Sequence, residues 1–492
     1  MTHVRTRALT GATLAVSFAA ALTLTGGALA SPARESASTP VPILTPDGQV
    51  SAYVVNARHE TPGQTRKVER AVERAGGVVV QSWPQIGVVI AHSDRAAFRV
   101  DVVRKGGYAV DTVGATRTVA VSEGTPDARR GGTVKDEFAN TPQADVVPDP
   151  REGEQWDMQM IKADQAHQVS DGSRDVVVGV LDSGIDADHP DLAPNIDVAD
   201  SVNCTDAGRP DTSATGWQPT TSDHGTHVAG TIAAARNGVG IVGVAPGVRM
   251  ASVKVVNDAG FIYPEYAVCG FVWAGMHRMD VTNNSYYVDP FMYYCSDQPD
   301  QAAAKEAVDR AVQWSTRQGT VHAAAAGNAA TDLSNNTTDT TSPDDSTPIN
   351  RTINNGCEDI PAELDGVVTV SSFAQVGTTL DSQLSSFSNR GLGKIDVAAP
   401  GSRILSTVVE GNGYGLKSGT SMASPHVAGV LALMRSAHPR WSPRTMLAML
   451  RAQADDKACS APQGNVGPAC VGNLGDNSYA GQGMVDALDA IQ

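Results

Sequence analysis

Gly419-Thr420-Ser421-Met422-Ala423-Ser424-Pro425-His426 leads into the apolar run Val427-Ala428-Gly429-Val430-Leu431-Ala432-Leu433-Met434. Small residues precede a serine, and a segment that reads as a buried helix follows it. A serine in that place has a chemical use. Free backbone N–H groups and the positive end of the helix stabilise negative charge forming beside its oxygen. An ordinary N-cap serine is the commoner reading of Gly-Thr-Ser taken alone.

Working upstream, Val176-Val177-Val178-Gly179-Val180-Leu181 has the continuous apolar character of a buried parallel strand. It runs into Asp182-Ser183-Gly184-Ile185-Asp186, which places a carboxylate where open α/β sheets put their sites. Aspartate before glycine also suits a plain turn. Between these two stretches lies Asp223-His224-Gly225-Thr226-His227-Val228-Ala229-Gly230-Thr231. Its two histidines are three residues apart with Gly225-Thr226 between. A zinc helix of the metalloprotease kind wants them four apart with a glutamate, so the spacing disfavours metal.

Together these stretches resemble the motifs of subtilisin-like serine proteases: Leu181 to Leu192 with His189-Pro190-Asp191, then Asp223 to Thr231, then Gly419 to His426. The order aspartate, histidine, serine is the order known for that family. The resemblance implies that His224 takes the proton of Ser421 as the serine attacks a peptide carbonyl. Asp182 then orients the imidazole and stabilises the imidazolium, while His227 is a packing or hydrogen-bonding residue. Ala323-Ala324-Ala325-Ala326-Gly327-Asn328 is similar to the family's oxyanion segment. It makes the Asn328 side chain one donor to the developing oxyanion and the Ser421 backbone N–H the other, although Gly-Asn alone reads as a turn. Gly243-Val244-Ala245-Pro246 and the strand Ala251 to Val256 resemble the family's next turn and strand. Val281-Thr282-Asn283-Asn284-Ser285 resembles the strand that lines the primary specificity pocket, so Ser285, Tyr286, Ala326 and Gly327 are the implied substrate-binding residues. Tyr286-Tyr287 depart from the family, which has an aliphatic residue and glycines there. The tyrosines put pocket shape in doubt, or they are simple packing.

The implied fold of residues 154–492 is α/β, a doubly wound, mainly parallel sheet with helices on both faces. A polar insertion is expected over 329–358, followed by the strand Gly366 to Val370 and the strand and turn Lys394 to Gly401. Closing helices are expected over Arg444–Arg451 and Gly483–Ile491. Before this region the order β-α-β-β-α-β reads as a small α+β, ferredoxin-like domain within residues 31–121. The strands are expected at Val50–Val55, Gly77–Trp83, Gly87–His92 and Val110–Val121. The helices are expected at Thr65–Ala75 and Ser93–Lys105, the second capped by Ser93 or Asp94. In this position the domain resembles an inhibitory propeptide whose C-terminal tail occupies the active site as an extended strand; a permanent N-terminal domain is the alternative. Residues 122–153 read as a linker, with the maturation cut expected between 122 and 154.

Arg5 and Arg7, the apolar stretch Ala8 to Leu29, and Ala28-Leu29-Ala30 make residues 1–30 a secretory signal peptide rather than a retained anchor. No later stretch offers about 18 unbroken apolar residues, so no membrane anchor is expected. The formal net charge of -16 argues against nucleic acid and anionic membranes as partners. Six cysteines in an exported chain favour disulfides. Cys459–Cys470 is the best local pairing and Cys269–Cys295 the next.

The chemistry needs no cofactor. Structural calcium is a possibility the family raises, with Asp186, Asp188, Asp191, Asp197 and Asp200 as oxygen donors, though a solvated acidic surface explains them as well. The expected protein is therefore a secreted, monomeric serine endopeptidase made as a precursor, acting on proteins or peptides. An inactive protease-like binding protein and a narrow processing protease are the rival readings.

Overall fold

The computed structural model describes residues 36–122, 148–465 and 469–492, of which Ala37–Gln492 form one packed unit. The signal-peptide segment and most of the region holding the expected maturation cut lie outside the described residues. Among those described, no helix is long and apolar enough to cross a membrane.

A nine-stranded sheet organises the larger part. Across it run Ser382–Leu384, Val367–Gln375, Val321–Ala325, Val281–Asn284, Val177–Asp182, Arg249–Lys254, Val202–Asp206 and Arg209–Asp211, with Val397–Pro400 also paired to Val367–Gln375. Pairing is parallel except at Ser382–Leu384 and Arg209–Asp211. The central strand explains why the sheet must be covered twice. Val177 and Leu181 enter the core on one face, and Val178 and Val180 enter the core on the other. Helices Pro264–Met276 and Pro299–Gln318 cover the first face; His224–Ala233 and Thr420–Ala437 cover the second.

The N-terminal module has the expected β-α-β-β-α-β order, in an antiparallel sheet arranged Val78–Trp83, Val88–Ser93, Ser51–Ala57, Val110–Ala115. Its helices are Pro62–Arg74 and Phe98–Gly106. The second begins later than expected: Ser93 still belongs to the strand Val88–Ser93, the Asp94 carbonyl accepts from Gly48 N–H, and Ala97 rather than Ser93 or Asp94 precedes the helix. The last strand ends at Ala115, before Arg117 turns into the larger part.

The module docks on the helix Pro299–Gln318. Asn56 Nδ2 donates to the Ala303 carbonyl (2.8 Å), Arg310 donates to the Ala57 carbonyl (2.8 Å), and Ala115 N–H donates to Asp300 (2.8 Å). Gly114 makes this approach possible: a Cβ there would lie 2.6 Å from the Asp300 carbonyl oxygen and 2.8 Å from Ala303 Cβ. The Arg117 guanidinium is buried, bonds Glu265, and lies 3.8 Å over the Tyr263 ring. Beyond it the tail was expected to pair with the cleft strands. Instead Thr118 N–H bonds the Asp345 side chain and Val121 N–H returns to the Val50 carbonyl.

Three further expectations are corrected. Gly483–Ile491 is no helix beyond a short turn at Asp489–Ile491, because its backbone bonds Ala398 and Asp455 instead of itself. The insertion 329–358 is more than polar surface. It buries Leu333 and Ile353 with the pair Arg351–Asp339, whose guanidinium also donates to the Tyr293 carbonyl (2.6 Å). Cys459–Cys470 is bonded as expected, but Cys269 pairs with Cys204 and Cys295 with Cys357. Cys269 points from its helix toward the strand Val202–Asp206, and Cys295 lies opposite Cys357 in a two-stranded ladder, so both partners come from distant sequence.

Candidate active site

Three neighbouring parallel strands end on one rim of the sheet. Asp182 closes the first, Ser285 follows the second, and Ala326-Gly327-Asn328 follow the third. Two helices of the opposite face begin at the same rim, with His224 as the first residue of His224–Ala233 and Ser421 as the second of Thr420–Ala437. Asp182, His224, Ser285, Asn328 and Ser421 thus reach one rim, from segments up to 239 residues apart.

Asp182 is buried. Its Oδ1 accepts the Ser183 N–H (2.7 Å), and both its oxygens face His224 Nδ1, at 2.9 and 3.0 Å. That contact fixes the proton on Nδ1 and leaves Nε2 as the acceptor. Burial pulls the imidazole pKa down, but the Asp182 charge and hydrogen bond outweigh it, and the ring is held above the usual histidine range. His227, on the same helix, instead bonds the Gly415 carbonyl through Nε2 (3.1 Å), and burial lowers its pKa to about 4.

Ser421 and Ser285 are locked to each other. Pro425 sits inside the serine helix and has no N–H for the carbonyl four residues back. That carbonyl belongs to Ser421, and it accepts from Ser285 Oγ at 2.9 Å instead. In return the Ser421 hydroxyl donates to the Ser285 carbonyl (3.2 Å) rather than to the imidazole. Asn328 Oδ1 accepts from both N–H and Oγ of Thr420 (2.8 and 2.9 Å), which turns its NH₂ the other way. A Cβ placed on Gly419 would lie 3.6 Å from that nitrogen and 3.6 Å from Ser421 N, so the two donors flank one spot.

Beside them opens a cavity of ≈ 380 Å³, lined by Ser285, Tyr286, Gly327, Asn328 and Ser421. Ala326 is not part of it: its N–H bonds the Val370 carbonyl (3.0 Å), and its carbonyl accepts from Asn389 (2.8 Å). Tyr286 donates to Asn284 Oδ1 (3.2 Å) and Tyr287 to Asp344 (2.7 Å), so these residues are at once packed and part of the cavity wall. Sequence reading missed the carboxyl groups on that wall, Asp289, Asp344 and Asp359. The only available signal was the tyrosine pair that broke the expected pattern.

The five aspartates considered for calcium do not converge. Asp191 accepts from Ile241 N–H (3.0 Å) and Tyr414 (2.9 Å), Asp197 pairs with Arg249, and Asp200 pairs with His277 (2.7 Å). Among the described residues the one close group of three potential ligands is Cys295, Asp297 and Cys357, whose cysteines are disulfide-bonded. The residues present do not fit a cation held by that acidic set.

Comparison with known proteins agrees with this geometry. The defining pattern of the Subtilase family matches residues 173–469. The chain is 33% identical to Subtilisin E of Bacillus subtilis over 337 residues, 68% of this chain and 71% of that one. It superimposes on fervidolysin of Fervidobacterium pennivorans, a keratinolytic enzyme related to subtilisin, with a TM-score of 0.63 at 24% identity, covering 93% of this chain and 64% of that one. The epidermin leader peptide processing serine protease of Staphylococcus aureus gives 0.64 at 22% identity, with 90% and 98% covered. A sheet of this order, sites at its strand ends and a family match over most of the chain have one reading: the protein belongs to the subtilases and is a serine endopeptidase.

Proposed function

We propose that the chain is an exported precursor whose catalytic groups are Asp182, His224 and Ser421. The observation that carries the reading is the Asp182–His224 pair on the rim where Ser421 and the Asn328 amide also arrive. A turn about the Ser421 Cα–Cβ bond would exchange its Ser285 bond for one to His224 Nε2, a rearrangement common between free and substrate-bound sites. The hydroxyl oxygen then attacks the substrate carbonyl, and its proton passes to Nε2. The oxyanion is met by Ser421 N–H and the Asn328 NH₂. The imidazolium donates that proton to the departing amine, leaving an acyl-enzyme on Ser421 Oγ. Water hydrolyses the ester by the same two proton transfers.

In this reading the module within residues 31–121 is a propeptide. It inhibits through its docked interface and leaves after a cut between 122 and 154. Residues 1–30 direct export, and the substrates are extracellular proteins or peptides. The test compares wild type with Ser421→Ala, both expressed with their full N-terminal region, by intact mass of the exported protein. Wild type should lose the module and react with a serine-directed phosphonate, and the variant should do neither. Identical cutting of both would assign maturation to another protease. An uncut, unlabelled wild type would refute the triad assignment.

A further inference from the structure

The cavity lined by Ser421 is also lined by carboxyl groups from three separate segments. Asp289 lies in the segment after the strand Val281–Asn284, Asp344 comes from the insertion, and Asp359 lies just after that insertion. Asp359 is 2% exposed, and its Oδ1 has no hydrogen-bond partner. It sits against the oxyanion segment: a Cβ on Gly327, which has φ +97°, would lie 3.5 Å from its Oδ2. Glu363, whose carboxylate accepts the Asp359 N–H (2.8 Å), is itself paired with Lys394 (2.7 Å). Asp344 Oδ1 is likewise buried and unpartnered, while its Oδ2 accepts from Tyr287.

A buried carboxyl oxygen without a donor costs stability unless something else supplies the donor. The three groups are not gathered closely enough to hold a metal ion among the described residues. They are spread along the wall of a cavity that also contains Met292 and the two tyrosines. A long side chain with an apolar stem and several donors at its tip matches that lining.

We propose that this endopeptidase cleaves after arginine or lysine, with Asp359 receiving the cationic head and Asp344 and Asp289 flanking it. The inference rests on Ser421, which lines the cavity, being the nucleophile. Without a guest, burial and the neighbouring Glu363 hold Asp359 well above the usual carboxylate range. Burial and the carboxyl contact with Asp344 do the same for Asp289. An arriving guanidinium reverses that balance: the acid releases its proton to solvent, and an ion pair with charge-assisted hydrogen bonds replaces it. A phenylalanine or leucine in the same place would leave Asp359 Oδ1 unpartnered.

The experiment measures kcat/KM of the exported protein on matched fluorogenic peptides that differ only in arginine, lysine, phenylalanine or leucine before the scissile bond. Wild type should favour arginine or lysine by about tenfold or more, since a site with buried polar groups rejects ligands that leave them unpaired. Asp359→Asn should abolish most of that preference, lowering kcat/KM for the arginine and lysine peptides by about tenfold more than for the phenylalanine peptide. A wild type that prefers phenylalanine or leucine overturns the proposal, as does an unchanged ratio in Asp359→Asn. If that variant is not exported, the wild-type ratio decides alone. Labelling by a serine-directed phosphonate separates the two readings. Labelled enzyme with a neutral preference refutes only the cationic pocket. If nothing labels and no peptide is cut, the triad reading fails, and calorimetry with benzamidine decides the pocket. Binding that Asp359→Asn loses supports it, and no binding to wild type refutes it.

Discussion

His224 illustrates how much one residue depends on its neighbour. Its pKa lies above the usual histidine range because Asp182 outweighs burial. In the proposed mechanism His224 is the general base and works only when neutral, so activity should be present above that raised value and lost as pH falls through it. The acidic limb of kcat/KM should therefore have its midpoint above 6.5, the unperturbed histidine value. Asp182→Asn should lower that midpoint where residual activity permits the measurement, and should reduce kcat by about 10⁴. Asn328→Ala should cost roughly 10²–10³ in kcat with little change in KM, the size found for such a donor in a relative of this family. The proposed site residues Asp182, His224, Asn328 and Ser421 each lie in a short motif whose neighbours are structural support, and that is why the sequence singled them out. Asp344 and Asp359 were not legible. Each reads as one more polar residue in a polar stretch, and only the fold brings them to the cavity.

Among the elements, the serine helix Thr420–Ala437 is buried along most of its length, and its position is set by more than apolar contact. His426, fully buried, bonds the Met422 carbonyl through Nδ1 (2.8 Å) and Asp157 through Nε2 (2.9 Å), tying the helix to the start of the larger part. Asp157→Ala leaves that imidazole facing an empty site, and should destabilise the protein by about 3 kcal/mol. Thermal unfolding would read this as a lowered Tm, accompanied by weaker phosphonate labelling as Ser421 loses its fixed place. Sequence periodicity identified this helix because its apolar run is continuous and its start carries a motif. It failed for Gly483–Ile491, where apolar pairs every three residues look helical but Gly481 and Gly483 take φ of +55° and +137° and the backbone bonds Ala398 and Asp455. Apolar spacing cannot distinguish a helix from a segment whose hydrogen bonds are supplied by distant chain.

At the scale of the whole molecule, the order of elements in the N-terminal module was readable, but its seat was not. The seat depends on one helix face, one glycine and one arginine, and none carries a motif. Gly114→Val would force a side chain into the Asp300 backbone and Ala303. It should weaken inhibition in trans by the isolated N-terminal segment, read as a higher Ki against the mature enzyme. Arg117→Ala leaves buried Glu265 without its cation, and should raise that Ki by about 30-fold or more, taking about 2 kcal/mol for a truncated buried charge pair. An unchanged Ki in both would mean that the docked surface has no part in inhibition.

The cysteine map bears on how such an interface is released. All six cysteines lie at or beyond residue 204, so the three bridges staple the larger part, and none crosses to the module. The polypeptide between Ser122 and Pro148 is then the one covalent tether. While it is whole, the module meets its seat at an effective concentration fixed by the length of that tether, however dilute the solution. One cut alters no contact, yet it makes occupancy depend on bulk concentration. If the proposed maturation cut is made, dilution would therefore favour release of the module.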